Sequence, residues 1–150
     1  MTKKKQKKVN YYFFILSFIL VAIDQASKFY IRSIFILGDS IPLFGNFFRF
    51  TYLQNTGVSF GLFKGNNMFF VVLSIIALAY FIYLFATEKE FQVQYSLVIA
   101  GVIGNVIDRI HLGYVVDFID IGSYSVFNVA DSCISIGVMW IIFLLIRKEE

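Results

Sequence analysis

The chain is 150 residues long, 59% hydrophobic, 19% aromatic and only 15% charged, and its mean hydropathy is +0.76. A single soluble core at that length cannot hide so much apolar surface, which excludes a soluble globular protein and leaves one membrane-embedded domain. The net charge of +3 carries no nucleic-acid signal, because five of the 13 basic residues (Lys3, Lys4, Lys5, Lys7 and Lys8) stand in one run.

That run reads as a cytoplasmic flank obeying the positive-inside rule. A basic head followed by apolar residues is similar to a signal peptide. The apolar run enters Asp24-Gln-Ala-Ser-Lys28 instead of a small-residue cleavage site, so a retained first span is expected. Tyr11 to Ile23 alone reach only about 20 Å of the roughly 30 Å hydrocarbon layer, so the span continues to about residue 36. Asp24 and Lys28 then lie at i,i+4 on one face, acid first, as favourable pairing requires. Gly38-Asp39-Ser40 ends the helix, and Pro42, the single proline, prevents an early restart.

Between residues 42 and 67 there is no helical period. Phe48, Phe50 and Tyr52 alternate with Arg49, Thr51 and Leu53 in a strand pattern. Asn55-Thr-Gly57 follows as a turn, with Phe60 and Phe63 nearby. An aromatic-rich sheet at the membrane surface is expected here, and, as the one long non-helical connection, a lid.

Met68 to Ala86 contains no charge and forms the cleanest span. Thr87-Glu88-Lys89-Glu90 returns the chain. The third span carries Gly101, Gly104 and Asn105, small and polar residues that let helices approach closely, and ends in Asp108-Arg109. Asp131 opens the last helix, which stops at Arg147-Lys148. The expected fold is a single-domain all-α membrane protein with transmembrane spans at about 11–36, 68–86, 91–109 and 128–146. Both termini are expected in the cytoplasm, with a small extracytoplasmic β-sheet between the first and second helices.

Rise per residue places Asp24 about 20 Å above the inner end of its span, Asp108 about 26 Å along the third, and Asp131 about 24 Å above Arg147. Three helices thus bring acids to one outer depth, where ionisable side chains are functional by default. The candidates are Asp24, Lys28, Asn55, Asn105, Asp108, Arg109, His111, Asp117, Asp120, Asn128 and Asp131. There is no Gly-x-Ser-x-Gly and no metal-binding His pair, and one His with one Cys makes a zinc site unexpected. Neither a metal nor a cofactor is expected. Carboxylates among amides and a guanidinium suit two acids that share a proton: one activates water while the other polarises a carbonyl. Spacing alone leaves the pair open.

Plainer roles compete. Asp24–Lys28 fits a simple helix ion pair, Asn55–Gly57 a turn and Asn128 a helix cap. Asp108 beside Arg109 reads as a structural couple and Asp120 as a solvated loop residue. His111 reads as a headgroup-level surface residue and Cys133 as helix packing.

Five blocks in order resemble the lipoprotein signal peptidases (signal peptidase II) over nearly the full chain. They are Asp24-Gln-Ala-Ser-Lys28, Asn55-Thr-Gly57-Val-Ser-Phe-Gly61, Gly101-Val-Ile-Gly104-Asn105-Val-Ile-Asp108-Arg109, Val115-Val-Asp117-Phe-Ile119 and Phe127-Asn128-Val-Ala-Asp131-Ser132. The resemblance implies a membrane aspartyl protease that cleaves prolipoproteins just before a diacylglyceryl-modified cysteine. It implies Asp117 and Asp131 as the catalytic dyad, with Asp24, Lys28, Asn55, Gly57, Asn105, Arg109 and Asn128 lining the site or contacting substrate. The chain departs from the family pattern at Ala100, at Val58-Ser59 and in the short Asp120–Phe127 loop, which bears on substrate range rather than chemistry.

The resemblance also implies a multi-pass protein of the cytoplasmic membrane, with the site near the outer leaflet. Expected partners are lipid-modified precursors and membrane lipid, with no nucleic acid, and a monomer is expected. The rival functions are a proton or cation transporter using the intramembrane acids, and a non-catalytic assembly subunit. Transport needs access from both faces, yet no ionisable residue lies in the inner half of any expected span. An assembly subunit does not explain why the acids gather at one depth.

Overall fold

The computed structural model describes residues 12–45, 47–57, 66–122 and 125–149. The lysine run, Tyr11, Val58, Ser59, Phe60, Gly61 and Phe63 lie outside the described residues. Helices α1 (Tyr12–Ile34), α2 (Asn67–Thr87), α3 (Gln92–Leu112) and α4 (Val129–Glu149) are each long and apolar enough to cross a membrane.

The usual core logic is inverted in α1. Its buried residues are Asp24, Lys28 and Ile31, spaced i, i+4, i+7, whereas Phe18, Ile23, Phe29 and Tyr30 face outward. Lipid accepts the apolar face, so the polar stripe is turned inward, where other protein groups satisfy it. Helix α3 is the hub, packed by α1, α2 and α4. Two glycines allow this approach. A Cβ at Gly101 would collide with the backbone oxygen of Ala130, and one at Gly104 would sit 2.5 Å from Oδ2 of Asp24 and 3.1 Å from Cβ of Ala130.

At one end of the bundle Phe85, Phe91, Tyr95 and Ile99 form an aromatic-rich cluster, with Phe14 and Phe85 centred 4.9 Å apart. Lys148 pairs there with Glu90 at 2.7 Å, joining the foot of α4 to the α2–α3 return. At the other end Gly113, at φ +82°, closes α3 in the left-handed conformation glycine tolerates, and its N–H meets the Arg109 carbonyl at 3.2 Å.

The sheet departs from expectation. It has four antiparallel strands in the order β1 (Ser40–Phe44), β2 (Phe48–Asn55), β3 (Val115–Asp120), β4 (Val126–Phe127). Half of it therefore comes from the α3–α4 connection, and the sheet does not lie between α1 and α2 alone. The physical reason is visible in β3: Val115, Val116, Asp117, Phe118 and Asp120 are buried, so both faces are covered and no alternation marks the strand. Of the segment expected as a lid, β2 is laddered to β3 with Leu53 opposite Asp117 and Asn55 opposite Val115. Ile31 and Phe35 pack under the sheet against Tyr52, Val116 and Phe118, fixing it to the head of α1.

Candidate active site

Asp117 leaves the middle of β3 and is 3% exposed. Each of its oxygens takes an amide proton: Oδ2 from Asn55 Nδ2 at 2.9 Å and Oδ1 from Asn128 Nδ2 at 2.7 Å. Asn55 is aimed by its own turn, because the Gly57 N–H donates to its Oδ1 at 3.1 Å and leaves only the nitrogen for the acid. Burial and the neighbouring Asp131 charge push the Asp117 carboxyl up to about 7, against the opposing pull of Asn55, Asn128 and Lys28.

Asp131 stands in the first turn of α4, half-buried. Asn128 and Asp131 form a reciprocal cap: the Asp131 N–H donates to Asn128 Oδ1 at 2.9 Å, and the Asn128 N–H donates to Asp131 Oδ2 at 3.3 Å. Asn128 is thus the cap that spacing suggested, and it is also a donor to Asp117. The other Asp131 oxygen accepts from Asn105 Nδ2 at 2.7 Å. Asn105 has no freedom to flip, since its Oδ1 already accepts from Lys28 at 3.1 Å and from Asn128 at 3.2 Å.

Behind the amides lies a buried ionic cluster. Lys28 Nζ is 2.8 Å from Asp24 and 3.1 Å from Asp108, and Asp24, Lys28 and Asp108 are all no more than 2% exposed. The partner of Asp108 is therefore Lys28, and its sequence neighbour Arg109 turns elsewhere. Arg109 lies over the Phe70 ring at 5.6 Å, within electrostatic range of Asp117 and Asp131. Asn67 at the head of α2 donates to the Arg109 carbonyl at 2.9 Å.

Asp24, Lys28, Asn55, Gly57, Asn105, Arg109, Asn128, Asp117 and Asp131 consequently belong to one connected patch, built from α1, β2, β3, α3 and α4. Asp120 is not solvated: it is 3% exposed and accepts from Thr51 at 2.7 Å, from the Gly122 N–H at 2.9 Å and from Arg49 at 2.8 Å. Its apparent loop is a strand end, which is why the solvated reading fails. His111 is exposed and Cys133 is buried within α4. Among the described residues, no three His, Cys, Asp or Glu side chains converge as a metal site.

Gln25 and Asn67 were missed by the sequence reading. Gln25 carried a signal, a second polar residue beside Asp24 within an apolar span. Asn67, at a helix start, carried none. Chemically, two carboxyls held by amides that only donate, one of them retaining its proton near neutrality, can activate a water and protonate a carbonyl oxygen in one encounter.

Comparison with known proteins shows the family. The family model for signal peptidase (SPase) II matches residues 16–147. The lipoprotein signal peptidase of Streptococcus pyogenes serotype M5 (strain Manfredo) is 41% identical over 144 residues, spanning 91% of this chain and 95% of its own. That of serotype M3 is 40% identical over 144 residues. A bacterial membrane enzyme solved by the in meso method at 2.3 Å overlays with a TM-score of 0.86 at 36% identity, covering 92% of this chain and 89% of that one. A second such structure, at 1.9 Å, gives 0.81 at 37% identity, covering 89% of this chain and 91% of that one.

Proposed function

The chain belongs to the signal peptidase (SPase) II family, and on that premise we propose that its peptidase activity is aspartic, with Asp117 and Asp131 as the dyad. It is a multi-pass bacterial membrane peptidase that removes signal peptides from prolipoproteins. The family gives no support to ion transport.

The observation carrying the dyad is that one residue, Asn128, hydrogen-bonds to both acids while the charge of Asp131 helps keep a proton on Asp117. The pair holds one proton near neutral pH. The ionised carboxylate removes a proton from water as the oxygen attacks the scissile carbonyl, and the protonated one donates to the carbonyl oxygen. The resulting gem-diol collapses as a proton passes to the leaving nitrogen, and the pair returns to its starting state. Asn55, Asn105 and Asn128 hold the carboxyls in place. Arg109 and the end of β2 with its turn at Asn55–Gly57 face the substrate.

The bond cut lies before a diacylglyceryl-modified cysteine. The sheet and the site occupy the end of the bundle opposite Arg147, Lys148 and the Lys148–Glu90 pair. By the positive-inside rule both termini then face the cytoplasm and the dyad works near the outer leaflet. Purified protein given a lipid-modified precursor and the same precursor without lipid tests this reading. The shorter product is expected only from the lipid-modified one, and equal cleavage of both would overturn the substrate class.

A further inference from the structure

Two backbone N–H groups beside the dyad are held from behind by acids outside it. Oδ1 of Asp24 accepts from the Ala130 N–H at 2.8 Å, immediately before Asp131. Oδ2 of Asp108 accepts from the Val116 N–H at 3.0 Å, immediately before Asp117. These two acids come from different helices, and two groups join them. Lys28 Nζ reaches both, at 2.8 and 3.1 Å, and Gln25 Nε2 reaches Asp24 Oδ2 and Asp108 Oδ1 at 3.1 Å each, and the Gly104 carbonyl at 3.1 Å.

We propose that Asp108 and Gln25 are positioning residues: with Asp24 and Lys28 they form a bracket that sets the separation of the two catalytic carboxyls. The inference rests on the dyad reading above and goes beyond it. Among the described residues, strand β3 and the head of α4 are tied directly by the short β4 and by Asn128, whose side chain donates to Asp117 and to the Val116 carbonyl. The bracket adds a second tie between them, from helices α1 and α3, through one cation and one amide. Burial of Asp24, Lys28 and Asp108 makes it stiff, because a carboxylate in this setting loses several hydrogen bonds if it moves. Gly104 completes it, since any Cβ there would occupy the space of Asp24 Oδ2 at 2.5 Å.

A bracket of this kind has a signature that general stabilisation lacks. A change in carboxyl separation alters how strongly each acid holds the shared proton, so the limbs of the pH–rate profile move. The charged groups facing Asp117 are Asp131 on α4, Lys28 on α1 and, within electrostatic range, Arg109 on α3.

The test is the pH dependence of kcat and KM on a lipid-modified precursor peptide, for wild type, Gln25→Leu and Asp108→Asn, with the folded fraction measured in parallel. Gln25→Leu keeps volume and charge, so it remains informative if Asp108→Asn does not fold. Expected for Gln25→Leu are a loss of about ten- to a hundredfold in kcat, KM held within about twofold, and a displaced pH limb. A wild-type profile with wild-type kcat overturns the proposal, as does a fall in kcat that follows the folded fraction with both limbs in place. If Asp117→Asn and Asp131→Asn also keep cleaving, the dyad reading falls and the bracket with it. If those two abolish cleavage while Gln25→Leu behaves as wild type, the bracket alone falls.

Discussion

The side-chain amide of Asn128 donates to Asp117 at 2.7 Å, and the same residue caps the helix whose first turn holds Asp131. The cap and the contact to Asp117 cannot be separated, because occupying Oδ1 with the Asp131 N–H is what turns Nδ2 toward Asp117. Asn128→Asp keeps the cap and converts the donor into a third carboxylate. It is expected to lower the thermal midpoint, because a buried carboxylate oxygen then faces the Asn105, Val116 and Asp117 oxygens, and to abolish precursor cleavage. Asn128→Ala is expected to lower kcat about 30- to 100-fold, the worth of a hydrogen bond to a charged group. A substitution series read by single-turnover cleavage checks both values.

Asp117 gives a pH-dependent stability. Its folded carboxyl is raised to about 7 from 3.8, so the folded state holds the proton more tightly than the unfolded chain. The stability this contributes is complete below the unfolded value and is lost as pH rises through the folded one. Asp117→Asn lacks that loss. The variant is expected to be more stable than wild type at pH about 8, by on the order of 2–4 kcal/mol, and close to it at pH about 4. Thermal unfolding in detergent at the two pH values reads the difference, and a variant that is less stable at the higher pH contradicts it.

On the two-aspartate chemistry proposed above, the same carboxyl governs rate. A dyad that must carry one proton loses activity as that proton leaves, so kcat is expected to decline with an alkaline limb near the Asp117 value of about 7. Replacing Asn55 with Ala removes a donor to the ionised form and is expected to move this limb upward. A pH–rate series on Asn55→Ala against wild type decides it.

Gly101 and Gly104 are positions where α3 meets α4 and Asp24 without room for a methyl group. Gly104→Ala places a carbon 2.5 Å from a buried carboxylate oxygen and is expected to cost about 1–3 kcal/mol through forced displacement. Activity should fall further than the folded fraction, because the atom displaced, Asp24 Oδ2, is the one that holds Lys28 and Gln25. Parallel melting and cleavage measurements separate the two effects.

Much of this site was legible in the sequence because membrane burial makes charge conspicuous. Asp24, Asp108 and Asp131 could be placed at one depth by counting residues, and the structure joins Asp24 and Asp108 through Lys28 and anchors the first turn of α4 on Asp24. The strand carrying Asp117 was not legible. Val-Val-Asp-Phe-Ile-Asp is short, covered on both faces and without alternation, so nothing in its pattern distinguishes a buried strand from a loop. The misreadings of Asp108 and Asp120 share one cause. Sequence proximity suggested Arg109 for the first and solvent for the second, whereas their partners, Lys28 on α1 and Arg49 and Thr51 on β2, arrive from far along the chain.

The most direct measurement is cleavage of a lipid-modified precursor by purified wild type, Asp117→Asn, Asp131→Asn and the double variant, each shown to be folded. If the two carboxyls work as a unit, either single change lowers the rate at least about a thousandfold and the double variant is scarcely slower than either. A folded single variant that processes precursor at the wild-type rate contradicts the two-aspartate chemistry.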